Sequence, residues 1–228
     1  MVKNEEQNSV YYQNKIDNLF GNKLGFIVRQ TIFDFFMMVM NPDNTTQILD
    51  VGVSSENTKI VSNFFENLYP YPWNITCVGT EDGSYLEAKY NGLHFFRINP
   101  HHSLPFKDQE FDVAFSNAVV EHAGNRSQQE FFIREICRVA KNVFIVTPNR
   151  GFPLETHTGL PLIHYLPKNV FRKILKGTKF DYWSYEDNLN LLTYREFNEL
   201  FPEELCTQSK KIKIFGFTSN LIVYYKKN

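Results

Sequence analysis

The sequence predicts an α/β protein built on one open, doubly wound, mostly parallel sheet of seven strands, closed by an antiparallel C-terminal hairpin. Three observations predict it. Short apolar runs of the kind that strands buried on both faces require recur at residues 47–53, 75–79, 93–98, 111–116 and 143–147. Helically spaced apolar residues or polar loops lie between those runs, as crossover connections need. Two last runs, 210–217 and 219–225, are joined near Gly216 and read as the hairpin.

Length and composition narrow the classes. A chain of 228 residues with 43% hydrophobic and 21% charged residues suits one globular domain with a sizeable core. The net charge of −1 comes with no basic face, so nothing supplies the phosphate neutralisation that nucleic-acid binding needs. Lys210, Lys211 and Lys213, with Lys226 and Lys227, read as a solvated strand edge. Cys77, Cys137 and Cys206 show no metal or disulfide spacing, and the polar N-terminus shows no signal peptide, so a reducing cytoplasm is expected. Residues 24–40 are the most apolar stretch, but Arg29, Gln30 and Asp34 interrupt it, and it reads as a buried amphipathic helix rather than a membrane span. A monomer or homodimer is expected.

Taken in order, residues 1–20 form a polar arm whose Tyr11 and Tyr12 either cover a bound cofactor or acceptor or pack ordinarily. Gly21 and Gly25 separate the arm from the helix, which ends before Asn41 and Pro42. The first strand then runs into Asp50, Gly52, Val53, Ser54 and Ser55. A helix is expected next, with Ser54 or Ser55 as its cap, Glu56 in its first turn, and Ile60, Val61, Phe64, Phe65 and Leu68 on its apolar face until Pro70.

The glycines decide which ligand this strand, turn and helix suit. A dinucleotide site needs several so that the backbone can approach a pyrophosphate, and only Gly52 is present. S-adenosylmethionine, which carries an amino acid where the pyrophosphate would be, needs less of that approach. Asp50 and the backbone around Gly52 then face its amino-acid end, and the helix N-terminus receives the carboxylate. A merely structural turn is the other reading of Asp-x-Gly.

The second strand ends in Glu81 and Asp82, at the edge where an acidic residue accepts ribose hydroxyls. Glu81 is the candidate, and Asp82 suits a surface carboxylate before the Gly83 turn. The third strand leads to Asn99, at the adenine end, and to His101 and His102, neighbours in a loop without further ligands nearby and so no metal site. The fourth leads through Asn117 to Glu121 and His122.

Together, residues 48–52, Glu81, Leu104-Pro105-Phe106 followed by Phe111-Asp112, Ser116-Asn117 with Glu121-His122, the Arg134–Val139 segment and the fifth strand resemble the ordered motifs of class I S-adenosylmethionine-dependent methyltransferases of the small-molecule type 11 kind. The resemblance covers about residues 45–150 and departs from the family's glycine-rich loop at Ser54 and Glu56. It implies a Rossmann-like sheet, S-adenosylmethionine as cofactor with S-adenosylhomocysteine as product, and cofactor contacts from Asp50, Gly52, Val53, Ser54, Glu81, Asp82, Asn99 and Asn117. It also implies the division 1–45 arm and helix, 46–147 cofactor core, 148–195 acceptor-side insertion and 196–228 C-terminal helix and hairpin.

The segment from Thr147 to Pro167, with residues 188–193, resembles a bacterial subgroup associated with surface-polysaccharide and related small-molecule tailoring. Its Arg150, His157 and His164 either line an acceptor pocket or belong to a proline-stiffened cover. Methyl transfer needs an acceptor held in line and, for a hydroxyl, a base. His122 is the expected base, His157 the second candidate, and Glu121 the residue that orients His122 or an acceptor hydroxyl; the plain alternative for His122 is a helix-start residue bonded to a loop. Nucleobase methylation is disfavoured because Asn117-Ala118-Val119-Val120 stands where that class has its paired prolines, and no cysteine is placed for covalent carbon methylation. The expected reaction is O-methylation of a sugar-derived or surface-polysaccharide building block. An anionic carboxylate or phosphorus-oxyanion acceptor, a non-catalytic cofactor-binding partner subunit and a nicotinamide-dependent oxidoreductase are the other readings.

Overall fold

The computed structural model describes residues 19–56 and 62–227. Tyr11 and Tyr12, and Ile60 and Val61 of the expected helix face, lie outside them.

The sheet grows outward from β1 (Ile48–Val51), whose four residues are all buried. Parallel neighbours flank it: β2 (Ile75–Gly79) on one side and β4 (Phe111–Asn117) on the other. Beyond β2 lies β3 (His94–Arg97), and beyond β4 lies β5 (Ala140–Pro148), both parallel. The antiparallel β7 (Phe217–Tyr225) follows, and β6 (Gln208–Ile214) forms the edge, for the order β3-β2-β1-β4-β5-β7-β6. The chain reverses its direction of travel across the sheet between β1 and β4, and in open α/β sheets the ligand crevice opens outside the carboxyl ends at such a point.

Alternate residues of β1 serve opposite cores. Ile48 faces α1 (Leu19–Met40) and α2 (Phe64–Leu68), where Phe36, Phe65, Phe115 and Phe144 fill the layer and the Phe65 and Phe115 rings stack at 4.3 Å. Leu49 faces α4 (Arg126–Val139), which follows the short α3 (Tyr85–Lys89), and there Ile133, Ile136 and Val139 recur on one buried stripe. Asn125 starts α4 through a reciprocal capping box with Gln128. Beyond β5, α5 (Lys168–Leu175) and α6 (Tyr194–Asn198) follow, and Phe171, Leu175, Trp183, Leu189 and Leu191 make a small third core under this part of the chain.

Three expectations need correction. Helix α1 is not broken at Gly21 and Gly25: it begins at Leu19 and ends at Asn41, whose φ of 47° makes the left-handed stop. Two helical glycines cost about 1 kcal/mol each, less than the burial of Ile32, Phe33, Phe36 and Met40 returns. The helix after β1 does not start at Ser54 or Ser55. Glu56 lies outside it, and α2 opens only at Phe64. The hairpin turns at Phe215 and Gly216, with φ of 49° and 86°, so Phe217 belongs to β7 and pairs with Ile214. Lys210, Lys211 and Lys213 lie exposed on the edge strand. Among the described residues no helix is long and apolar enough to cross a membrane.

Candidate active site

The crevice begins where β1 ends. Gly52 has φ of +101°, and its amide and that of Val53 both donate to the Val78 carbonyl, at 2.8 and 3.1 Å. A Cβ at Gly52 would lie 2.2 Å from Val119 Cγ2, so the loop after β4 rests directly on this glycine. Ser54 is held by residues that no local pattern points to. The Asn63 side chain accepts from the Ser54 amide and donates to its carbonyl, both at 2.8 Å, and the Tyr85 hydroxyl donates to the same carbonyl at 3.2 Å. Asn63 reaches back only because its φ of 49° turns the chain, which a propensity reading does not show. The Ser54 hydroxyl is spent inside this loop, accepting from the Glu56 amide at 3.0 Å.

Ser55 donates to Glu81 at the carboxyl end of β2. Asp82 is exposed and bonds the Ser84 amide at 2.9 Å, which holds its carboxyl below the ordinary range. Asn99 stands exposed after β3, and Asn117 half-buried at the end of β4. Gly52, Val53, Ser54, Glu81, Asn99 and Asn117 are therefore gathered along the carboxyl ends of four of the five parallel strands.

Asp50 turns the other way. Buried in β1, it faces Glu66 of α2 and Cys77 of β2, whose thiol donates to Glu66 at 3.2 Å. Burial first, and then the Glu66 charge, raise the Asp50 carboxyl well above its usual range, and burial raises Glu66 too. Burial side by side therefore favours the protonated forms of both carboxyls. His101 and His102 are exposed, away from other ligands.

The second half of the site lies past β4. Ala118, at φ of 58°, turns the chain into the short 3-10 helix Val120–His122. Glu121 is 0% exposed, accepts from the Thr147 hydroxyl at 3.0 Å, and is pushed up to about 7 by burial. Nδ1 of His122 donates to the Asn188 carbonyl at 2.6 Å. His157 comes in from the loop after β5: its Nδ1 meets Glu155 at 2.7 Å, and its ring stands edge-on to His122 with centroids 4.9 Å apart. Burial raises Glu155, but the His157 charge and the hydrogen bonds from His157 and Thr158 outweigh it and hold the carboxyl at about 2. Trp183 covers both imidazoles. One donor atom each from Glu121, His122 and His157 lies within 4.8 Å of the others.

Gln129 and Asn190 fix this arrangement. The Gln129 amide donates to the Val120 and Asn190 carbonyls at 3.0 and 2.9 Å, and the Asn190 amide N–H to the Glu121 carbonyl at 2.7 Å. Neither residue stands out in the sequence. Arg150 and His164 are brought near each other but not onto the histidine pair. The Arg150 guanidinium donates to the His164 and Leu166 carbonyls at 3.2 and 2.8 Å, and His164 Nε2 donates to the Phe152 carbonyl at 2.7 Å. With Lys168 and Arg172 they line a separate cavity.

A protein-family model described as a methyltransferase domain matches residues 49–144. No curated protein sequence matches the chain. Among solved structures, the chain is similar to a SAM-dependent methyltransferase from Methanosarcina mazei, at 16% identity over 83% of this chain and 96% of that one, with a TM-score of 0.52. It is also similar to a SAM-dependent methyltransferase from Aquifex aeolicus, at 11% identity over 85% and 89%, with a TM-score of 0.53. A third is the N-methyltransferase NodS from Bradyrhizobium japonicum in complex with S-adenosyl-L-homocysteine, at 11% identity over 92% and 88%, with a TM-score of 0.55. At these identities the solved structures speak for the fold, and the matched region speaks for the activity. The donor set fits the cofactor: a carboxylate at the end of β2 for ribose hydroxyls, one glycine at the end of β1, and no run of glycines to cradle phosphates. The chain therefore carries a methyltransferase region, residues 49–144, that runs from β1 into β5 of a seven-stranded Rossmann-like sheet.

Proposed function

We propose that this single-domain enzyme methylates a hydroxyl of a small polar acceptor, a sugar-derived building block of a surface polysaccharide. The observation that carries the reading is the convergence of Glu121, His122 and His157 on one point past the carboxyl end of β4. Bound S-adenosylmethionine supplies an electrophilic sulfonium methyl, so the chain has only to place the acceptor oxygen in line and remove its proton. The hydrogen bond from His122 Nδ1 to the Asn188 carbonyl sets the tautomer and puts the lone pair on Nε2, which suits a base. His157, oriented by Glu155, is placed to orient the same hydroxyl. Glu81 is assigned the ribose, the backbone of Gly52, Val53 and Ser54 the amino-acid end, and Asn99, Asp82 and Asn117 the remainder of the cofactor. The cations Arg150, Lys168 and Arg172 around one cavity support a second reading, in which the acceptor carries an anionic group.

The test is methyl transfer from labelled S-adenosylmethionine to a panel of free and nucleotide-linked monosaccharides, with His122→Gln beside the parent. The variant is expected to lose about 10²–10⁴-fold in turnover with unchanged cofactor affinity. A loss below about threefold for both His122→Gln and His157→Gln would remove the base from the reading. Methylation confined to carboxylate or phosphonate probes would remove the hydroxyl.

A further inference from the structure

We propose that Glu121, His122 and His157 form a binding site for a divalent first-row transition metal, zinc above all. The inference rests on the reading that these residues face the acceptor, and it goes beyond that reading in what they hold.

Three independent features point to a cation. The first is the donor set. Two imidazoles and one carboxylate within 4.8 Å of one another are the ligand types, and nearly the spacing, that one ion with bonds of about 2.0–2.2 Å gathers after a small side-chain adjustment. Magnesium or calcium would call for oxygen donors, whereas imidazole selects zinc and its neighbours.

The second feature is the outer layer. The His122 and His157 rings each have Nδ1 tied to an acceptor, the Asn188 carbonyl at 2.6 Å and the Glu155 carboxylate at 2.7 Å. Metal-binding histidines commonly hand their second ring nitrogen to a carbonyl or carboxylate in this way, because it fixes the ring and presents the Nε2 lone pair to the ion. The Glu121 carboxylate is steadied likewise, by the Thr147 hydroxyl on Oε2.

The third feature is an unmet need for positive charge. Glu121 is 0% exposed, and among the described residues its Oε1 is a buried oxygen with no hydrogen-bond partner. That oxygen looks toward His122 Nε2 at 3.8 Å, too long for a hydrogen bond. An ion beside that Glu121 oxygen would supply its missing partner. Three protein ligands leave an open position, the arrangement of catalytic rather than structural zinc. With an ion bound, His122 Nε2 would be a ligand, so the base role given to it above would belong to the metal-free enzyme, and the ion would instead lower the pKa of the acceptor hydroxyl, whose proton would pass to solvent.

The experiment uses the full chain stripped by a chelator, without acceptor or cofactor, titrated calorimetrically with zinc and spectroscopically with cobalt(II). About one equivalent is expected to bind, with cobalt bands of a low-coordinate nitrogen and oxygen site. His157→Ala and His122→Ala should abolish binding, and Glu155→Gln should weaken it about 10–100-fold. Where a variant melts well below the parent, copper(II) electron paramagnetic resonance on the parent replaces it, and coupling to two imidazole nitrogens is the expected signature. No binding by the parent, binding unchanged in both histidine variants, or a spectrum without imidazole nitrogen would overturn the proposal. Because binding is read without turnover, each of those results leaves the hydroxyl-acceptor reading standing. Failure on the acceptor panel, in turn, leaves the metal result intact.

Discussion

At Gly52 a hydrogen in place of a methyl group decides whether the loops after β1 and β4 can meet. Gly52→Ala combines a 2.2 Å clash with Val119 and a left-handed φ of +101°, and is expected to cost about 1–3 kcal/mol in denaturant unfolding. Val119→Ala in the same chain should return the steric part and leave the backbone part, so full recovery in the double variant would show that φ is not strained. Glu81 makes the complementary prediction for the cofactor. Glu81→Ala removes a charge-assisted acceptor, and calorimetry with S-adenosylhomocysteine should show a loss of about 1.5–3 kcal/mol. Unchanged affinity would move the ribose contact elsewhere. The sequence reading named both residues, as a glycine and an acidic residue at strand ends. Asn63 and Tyr85, which hold Ser54, were not legible there: their roles depend on a left-handed backbone and on the arrival of α3 beside the first loop.

Among the elements, the pairing of β1 with α2 carries a pH dependence. Asp50 and Glu66 are raised by burial in the native state, whereas in the unfolded chain they ionise near their ordinary values of about 3.9 and 4.3. The native state therefore binds more protons. The stabilisation is complete below the unfolded values and is lost as pH rises through the raised native ones. Asp50→Asn should flatten that decline in a series of melts taken upward in pH, and a variant with the parent's slope would show that the Asp50 carboxyl is not raised in the native state. The sequence reading aimed Asp50 at the cofactor because it precedes Gly52. Strand alternation instead sends its side chain to the α2 face, where a carboxyl from another element waits. The helix start was misread for a related reason. Ser54 and Ser55 suit a cap, but Asn63 captures the Ser54 backbone and delays α2 to Phe64.

Over the whole molecule, the segment between β5 and β6 is tied to the turn after β4 by Asn190 and Gln129. The Asn190 amide donates to the Gly124 carbonyl at 3.0 Å, in addition to the main-chain bond to Glu121. Asn190→Ala strands that carbonyl and should cost about 1–3 kcal/mol. It should also lower turnover more than cofactor affinity, because the turn bearing His122 loosens while Gly52 and Glu81 stay in place. Equal losses in both would mean that the two halves of the crevice are not separable. What the sequence determined by itself was the class of the sheet, and it named the strand ends and the two histidines as candidates. Apolar runs buried on both faces, and polar residues at their ends, have a local signature. Tertiary structure alone decided that His122 and His157 stand together over Glu121, that Glu155 and Asn188 orient them, and that Arg150 and His164 serve another cavity. Those relations join residues far apart in the chain through burial and backbone direction, and neither quantity is written in any short stretch of sequence.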